Sequence, residues 1–304
     1  MIIKKKAKSV IISSDNAGQR LDNFLITYLK GVPRSRIYSM IRKGEIRVDG
    51  SRKKAFYKIS QGDKIRIPPI RVSNKKESFI PGRIIELIKN SIIHETQDYL
   101  AIDKPHGIAS HGGSGVSIGI IEAIRNFGKD YRNSKLIHRL DKDTSGCQII
   151  AKNNKFLREC NKYLRERKVK KTYRAIVFGK WKEDGTYKTN VLKNQNKGDE
   201  YLSKEDIKGK EAISNFKALK VTNNLSLIEC KLITGRTHQL RVQLSSLGFP
   251  ILGDKKYGYN SLNSLKFPIK RMFLHSSKID IKDLNLIIEC QESEEFKKMM
   301  KNDE

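Results

Sequence analysis

The sequence predicts an α+β chain of two domains, a small helix-and-strand unit followed by a larger domain built on a mainly antiparallel sheet. Three observations carry this. An amphipathic helix pair precedes short strands within residues 1–70, and a polar stretch without periodicity, 71–82, reads as a linker. Beyond it, in 83–304, strands and helices mix without the regular alternation of a parallel α/β sheet.

In the first unit a strand is expected at Val10 to Ser13. Leu21, Phe24, Leu25, Tyr28 and Leu29 then fall at i, i+3, i+4, i+7 and i+8, the spacing of one helical face, which Gly31 and Pro33 end. In "RSRIYSMIRKG", Ile37, Met40 and Ile41 form a second apolar stripe, leaving Arg34, Arg36, Arg42 and Lys43 for the solvent side. "EIRVDG" ends in the turn dipeptide Asp49-Gly50, and "GDKIRIPP" supplies a later strand.

In the second unit "SIIHETQDYLAIDKP" reads as two strands around a Gln97-Asp98 turn, followed by the glycine-rich loop "HGIASHGGSG". A strand at Cys147 to Ala151, a helix from Asn154 to Arg167 and a strand "KTYRAIVFG" with Tyr173, Ala175 and Val177 on one face come next. "SLIECKL", "RMFLHS" and "LNLIIEC" add strands. "THQLRVQLSSLG" reads as a helix capped by Thr237 and closed by Gly248, with Leu240, Leu244 and Leu247 inward and His238 and Arg241 together on another face. No repeat of 20 to 50 residues is present.

At 304 residues and 38% hydrophobic, the chain can build real cores. Its 62 Lys and Arg against 33 Asp and Glu, a formal charge of +29, draw polyanions, either nucleic acid or an anionic membrane surface. No stretch approaches the length that spans a bilayer, and the four cysteines, with no C-x-x-C pair, read as reduced thiols, so a cytoplasmic protein is expected.

The loop "HGGSG" fails the spacing of a nucleotide cradle and of a serine-nucleophile turn, so it reads as a tight turn with His106 and His111 as loop hydrogen-bonders. The six histidines include no i, i+4 helical pair, and no zinc site is expected. "HRLDKDTSG", 138–146, is the densest charged stretch ahead of a buried strand. Its Asp141 and Asp143 would share a face only in an extended segment; in a turn, Asp143 and Thr144 close the turn through side-chain-to-backbone bonds, and Lys142 is solvated. An arginine meeting Asp141 would hold that carboxylate ionised and oriented.

"HRLDKDTSG", "KKTYRAIVFG", "TGRTHQLRVQLSSLGFPILGD" and "RMFLHS" resemble, in order and spacing, the motifs of the RluA family of pseudouridine synthases, and "GQRLDNFLITYLKGVPRSRIYSMIRKGEIRVDG" resembles the S4 RNA-binding domain. The tail "QESEEFKKMMKNDE" carries no such resemblance. The resemblance implies a cofactor-free isomerisation of uridine to pseudouridine in 23S ribosomal RNA; whether free RNA or an assembling large subunit is the substrate stays open, and a monomer is the default expectation. It assigns Asp141 as catalytic carboxylate, Arg241 as its ion-pair partner, and Tyr173 as the ring under the base. It places His138, Arg139, His238 and Leu274 against the substrate, and Arg34, Arg36, Arg42 and Lys43 on the RNA. Asp141 either attacks the sugar carbon or removes a neighbouring sugar proton. Arg139 either fills the gap left by a flipped uridine or clamps a phosphate or carboxylate. Three rivals use parts of this pattern: an RNA-binding protein without catalysis, which leaves Asp141, Tyr173 and Arg241 unexplained; a nucleoside hydrolase; and a DNA-binding protein, for which no helix-turn-helix or zinc signature exists.

Overall fold

The computed structural model describes residues 2–5, 7–29, 31–73, 80–112, 118–195, 201–258 and 268–304. The chain divides into two compact units, Met1–Phe79 and Ile80–Glu304.

The first unit runs β1 (Ile2–Lys5), β2 (Lys8–Ile11), α1 (Leu21–Tyr28), α2 (Arg34–Arg42), β3 (Arg47–Val48), β4 (Lys64–Ile67) and β5 (Ile70–Ser73). One apolar cluster joins Leu21, Phe24 and Leu25 of α1 to Ile37, Met40 and Ile41 of α2 and to Val48, Ile65 and Ile67 of the antiparallel β2-β4-β3 sheet. This is the burial that the three-and-four spacing dictates. Tyr28 departs from the stripe: it is exposed, stacked on Phe24 at 5.4 Å with the Lys8 ammonium over its ring. Asp22, buried at the start of α1, ties the helices by accepting from the Arg20 guanidinium and the Tyr38 hydroxyl.

The expected linker starts too early. Residues 71–73 belong to β5, which pairs antiparallel with β1. Its alternation is only four residues long, too short for a period of two to stand out. Residues 74–79 lie outside the described residues, and a helix begins at Gly82.

The second unit comprises α3 (Gly82–Asn90), β6 (Ile92–Glu95), β7 (Tyr99–Lys104), α4 (Ile120–Ile124), β8 (Lys135–Leu136), β9 (Ser145–Ala151), α5 (Asn154–Arg165), β10 (Lys170–Phe178), β11 (Gly185–Gln195) and β12 (Tyr201–Glu205). It continues with β13 (Lys210–Val221), β14 (Leu225–Leu232), α6 (Gln239–Ser246), β15 (Leu274–Ile281), β16 (Leu286–Glu289) and α7 (Glu294–Asn302). The described strands form one sheet in the order β12-β11-β13-β14-β10-β15-β9-β7-β6, with β16 beside β15 and β8 beside β9. All pairings are antiparallel except β9 with β15. Among the described residues no helix is long and apolar enough to cross a membrane.

Each face of the sheet has its own core. Tyr173, Ala175 and Val177 of β10 pack with Ile228 and Cys230 of β14 and with Leu240 and Leu244 of α6. On the other side, Phe156 and Cys160 of α5 cover Cys147, Ile149 and Ala151 of β9. The start of α5 is fixed by Asn153, whose side-chain oxygen accepts the Phe156 amide at 2.9 Å. The tail is structural: Phe296, Met299 and Met300 of α7 pack on Ile176, Leu252 and Phe273. Asp303 just beyond accepts from Thr222, Asn224 and Leu225.

Candidate active site

Asp141 sits in the turn that leads into β9, where the Thr144 amide donates to the Asp141 carbonyl at 3.2 Å. The turn therefore closes through backbone. This corrects the expected side-chain closure: Asp143 points to solvent with Lys142, and Thr144 is buried against the cavity.

The Asp141 side chain is 32% exposed, and Arg241 Nη1 approaches its Oδ2 at 3.2 Å. Arg241 is itself gripped by Asp254, which accepts from Nε at 2.7 Å and from Nη2 at 2.8 Å. Such a fork fixes the plane of the guanidinium and hence the side of it offered to Asp141. Burial opposes the charge on Arg241, but the carboxylates of Asp254 and then Asp141 outweigh it and hold the group firmly protonated. Asp254 is buried and also accepts the amides of Lys256 and Tyr257. Gly253 precedes it at φ 78°, and a Cβ there would lie 1.9 Å from the Arg271 carbonyl oxygen, so only glycine permits the approach.

Tyr173 lines the same cavity as Asp141, with Leu274, Thr144, Arg139 and Arg236. Register explains the pairing: Leu274 of β15 lies opposite Ala175 of β10, two residues from Tyr173 on the same face. Burial first, and the Asp141 charge second, push the Tyr173 phenol well above its ordinary pKa, so it stays protonated.

Three groups brace the turn from behind. Lys104, fully buried at the end of β7, donates to the carbonyls of Pro105 at 2.9 Å, Ile108 at 2.6 Å and Lys142 at 3.0 Å. Burial lowers its pKa to about 7, against the pull of Asp143 and Asp141. Ser110 Oγ donates to the Leu140 carbonyl and accepts the Leu140 amide. Ser145 Oγ accepts from Arg271 at 2.6 Å and donates to His275 Nδ1 at 2.9 Å, and His275 Nε2 donates to the Cys290 carbonyl. Gly146, at φ 105°, lets β9 meet β15; a Cβ there would be 2.2 Å from the Ser276 carbonyl oxygen.

The other expected residues divide. Arg139 is exposed at the cavity, its Nη1 donating to His111 Nε2 at 2.6 Å while His111 Nδ1 donates to the Gly112 carbonyl. Residues 113–117 of the glycine loop lie outside the described residues. His138 corrects the expectation of substrate contact. Its Nε2 accepts the Ile149 amide at 3.1 Å, so the ring faces into the fold rather than lining the Asp141 cavity. Burial and then the Lys171 charge lower its pKa to about 3, which keeps it neutral.

His238 carries a second correction. The helix begins at Gln239, with His238 as the residue ahead of it at φ 54°, in place of the expected Thr237 cap. No side chain caps the helix; Gln239, its first residue, accepts from the Arg236 amide and the Thr234 hydroxyl and so fixes the chain that enters it. The Tyr257 hydroxyl accepts the Ser203 amide and so donates to His238 Nδ1 at 2.9 Å, leaving Nε2–H facing Asp141 Oδ2 at 3.6 Å. In the first unit, Arg34, Arg36, Arg42 and Lys43 are exposed on α2 or just after it, and Arg36 pairs with Glu45 at 2.8 Å.

The residues that sequence reasoning missed are Asp254, Tyr257, Lys104 and Arg271. Asp254 did carry a signal: a lone carboxylate straight after a glycine in the apolar run "GFPILGD".

A family description of RNA pseudouridylate synthases matches residues 98–246, and one of the S4 domain matches residues 19–65. The ribosomal large subunit pseudouridine synthase C of Pasteurella multocida is 40% identical over 283 residues, covering 91% of this chain and 87% of that protein. Its namesake in Escherichia coli (strain K12) is 39% identical over 279 residues, covering 90% and 88%. The solved structure of human RNA pseudouridylate synthase domain containing 4 superposes with a TM-score of 0.58 at 24% identity, covering 70% of this chain and 93% of that one, a likeness of fold. Sharing 40% of its residues with such a synthase over 91% of its own length, this chain belongs to the RNA pseudouridylate synthase family.

Proposed function

We propose that the chain converts uridines of 23S ribosomal RNA into pseudouridine, on free RNA or in an assembling large subunit, as a cytoplasmic monomer. The observation that carries this reading is the relay Asp254–Arg241–Asp141 ending over Tyr173 in one cavity. The relatives whose names specify the large subunit direct it to 23S RNA.

The reaction breaks the N1–C1′ bond, turns the uracil and forms a C5–C1′ bond; C5 loses a proton and N1 ends with one. No electrons or atoms enter. Asp141 starts it, either by attacking C1′ or by removing a sugar proton, and Arg241, 3.2 Å from its Oδ2, holds the carboxylate in place. Tyr173 offers a flat ring for the uracil to lie on, and Leu274 closes the apolar side. His238 presents its Nε2–H to Asp141. Arg139, held at the rim by His111, enters the stack where the uridine leaves, an exit that costs a few kcal/mol. His138 supports the start of the turn through its bond to Ile149. The first unit, through β5 at residue 73, serves as the S4 RNA-binding domain, with Arg34, Arg42 and Lys43 on phosphates and Arg36 shared with Glu45, and the unit from residue 80 to 304 as the catalytic domain.

Mapping pseudouridine in 23S rRNA from cells with and without the gene tests the proposal. Disappearance of defined sites supports it. An unchanged map, or release of free uracil by the purified protein, overturns it, the latter in favour of a hydrolase.

A further inference from the structure

A second cavity, of about 300 Å³, lies beside the catalytic one and shares Leu232 and Arg236 with it. Arg165 at the end of α5, Arg167 in the turn after it, Lys171 at the start of β10 and Arg236 ahead of α6 line it, and no carboxylate does. None of these four cations forms an ion pair among the described residues. Glu166, between Arg165 and Arg167 in the chain, is turned onto Lys168 at 3.5 Å, and the other acid in reach is Glu211. Its charge is felt by Arg167 and Arg236, but its carboxylate sits on Lys188 at 2.8 Å, and only its carbonyl takes the Arg236 Nε–H.

The adjoining groove, of about 840 Å³, shows what a compensated surface looks like. There Lys231 sits on Glu229 at 3.0 Å, Lys278 on Glu289 at 2.6 Å and Arg174 on Glu292. Lys171 lines both, and the smaller cavity differs in that no carboxylate lines it and none of its four cations is ion-paired among the described residues. Lys171 has no hydrogen-bond partner among the described residues and stands beside His138, whose buried Nδ1 is also unpartnered. Arg167 is held at φ 57°, a backbone conformation costly for any residue with a Cβ.

We propose that this cavity is a phosphate-binding subsite that grips one backbone phosphodiester of the substrate RNA close to the nucleotide entering the catalytic cavity. The proposal rests on the reading of the chain as an RNA pseudouridine synthase. Arginines present a planar fork to phosphate oxygens, and a desolvated lysine gains most from an arriving anion. A phosphate held there sets the register of the strand, so the subsite selects which uridine reaches Asp141.

The test uses the full chain and a 23S rRNA hairpin chosen for binding to the wild-type protein, synthesised with single neutral methylphosphonate linkages in turn. One linkage is expected to weaken wild-type binding by about tenfold, the loss of a charge-assisted contact. The Arg165→Gln/Lys171→Gln double variant is expected to bind the all-phosphate hairpin about tenfold more weakly, to lose little more at that linkage, and to show a shallower salt dependence by roughly 0.7 to 0.9 in the log–log slope, one phosphate's worth. Arg165→Gln alone, at an exposed side chain, shifts the same readouts in the same direction and guards against a folding defect. Equal losses in wild type and variant at every linkage would overturn the subsite. Because the readout is binding, a hairpin bound but never isomerised would count against the functional reading while the linkage scan still decides the subsite.

Discussion

Asp254 shows how much of this site depends on a residue that never meets substrate. Asp254→Asn leaves a buried guanidinium with one remaining carboxylate, a change that typically costs about 3 kcal/mol or more. Single-turnover rates should fall by roughly 10²- to 10³-fold, about 3–4 kcal/mol of activation free energy, while RNA affinity stays within a few-fold. A variant with near wild-type rates would show that Arg241 holds its place without the fork. Arg139 makes a contrasting prediction. If its guanidinium replaces the flipped base, Arg139→Ala should lose far more activity on a stacked target than on an RNA whose uridine is already unpaired, and Arg139→Lys should recover little. Equal loss on both RNAs would assign it to clamping. At this scale, the meeting of Asp141, Tyr173 and Arg241 in one cavity was expected from the family resemblance of the motifs that hold them. Asp254 was not, because its partner is 13 residues away and the pairing exists only once α6 is folded.

Elements were legible where one face is wet. The α1 stripe apart from Tyr28, the buried face of β10 and α5 to within two residues of its end all follow from periodicity. β9 is buried along its whole length and shows no alternation, yet its continuous apolar run reads as a strand at Cys147 to Ala151, two residues short of its start. α6 is enclosed as well: Leu240 and Leu244 pack on one side, while Gln239 and Gln243 bond to Ile213, Ser214 and Ala212 on the other. Its true start at Gln239 is thus set by tertiary bonds. Lys104 illustrates a strand end recruited to the site. Its folded pKa of about 7 lies below the ordinary 10.5, so from pH 7 to 10.5 the unfolded chain binds the extra proton and this group's contribution to stability rises with pH. Lys104→Met should flatten that rise in thermal unfolding and, by freeing the Lys142 carbonyl, lower the rate by about tenfold. An unchanged pH slope would contradict the burial of this charge.

For the whole molecule, the charge of +29 pointed to a polyanion but not to where it binds. The structure separates exposed cations with partners, such as Arg36 on Glu45, from those that form no ion pair among the described residues, such as Arg34, Arg42 and Lys43. Replacing those three by Gln should reduce the slope of log affinity against log salt by up to about 2.7 on duplex RNA, if each neutralises a phosphate. Unaltered slope would place the RNA elsewhere on the chain. The central claim is that Asp141 carries the chemistry, and it is tested most directly by single-turnover conversion of 23S rRNA by purified wild type and Asp141→Asn. The amide keeps the shape and loses the charge, so we predict no detectable pseudouridine with RNA affinity within a few-fold. Substantial pseudouridine from Asp141→Asn would contradict the account.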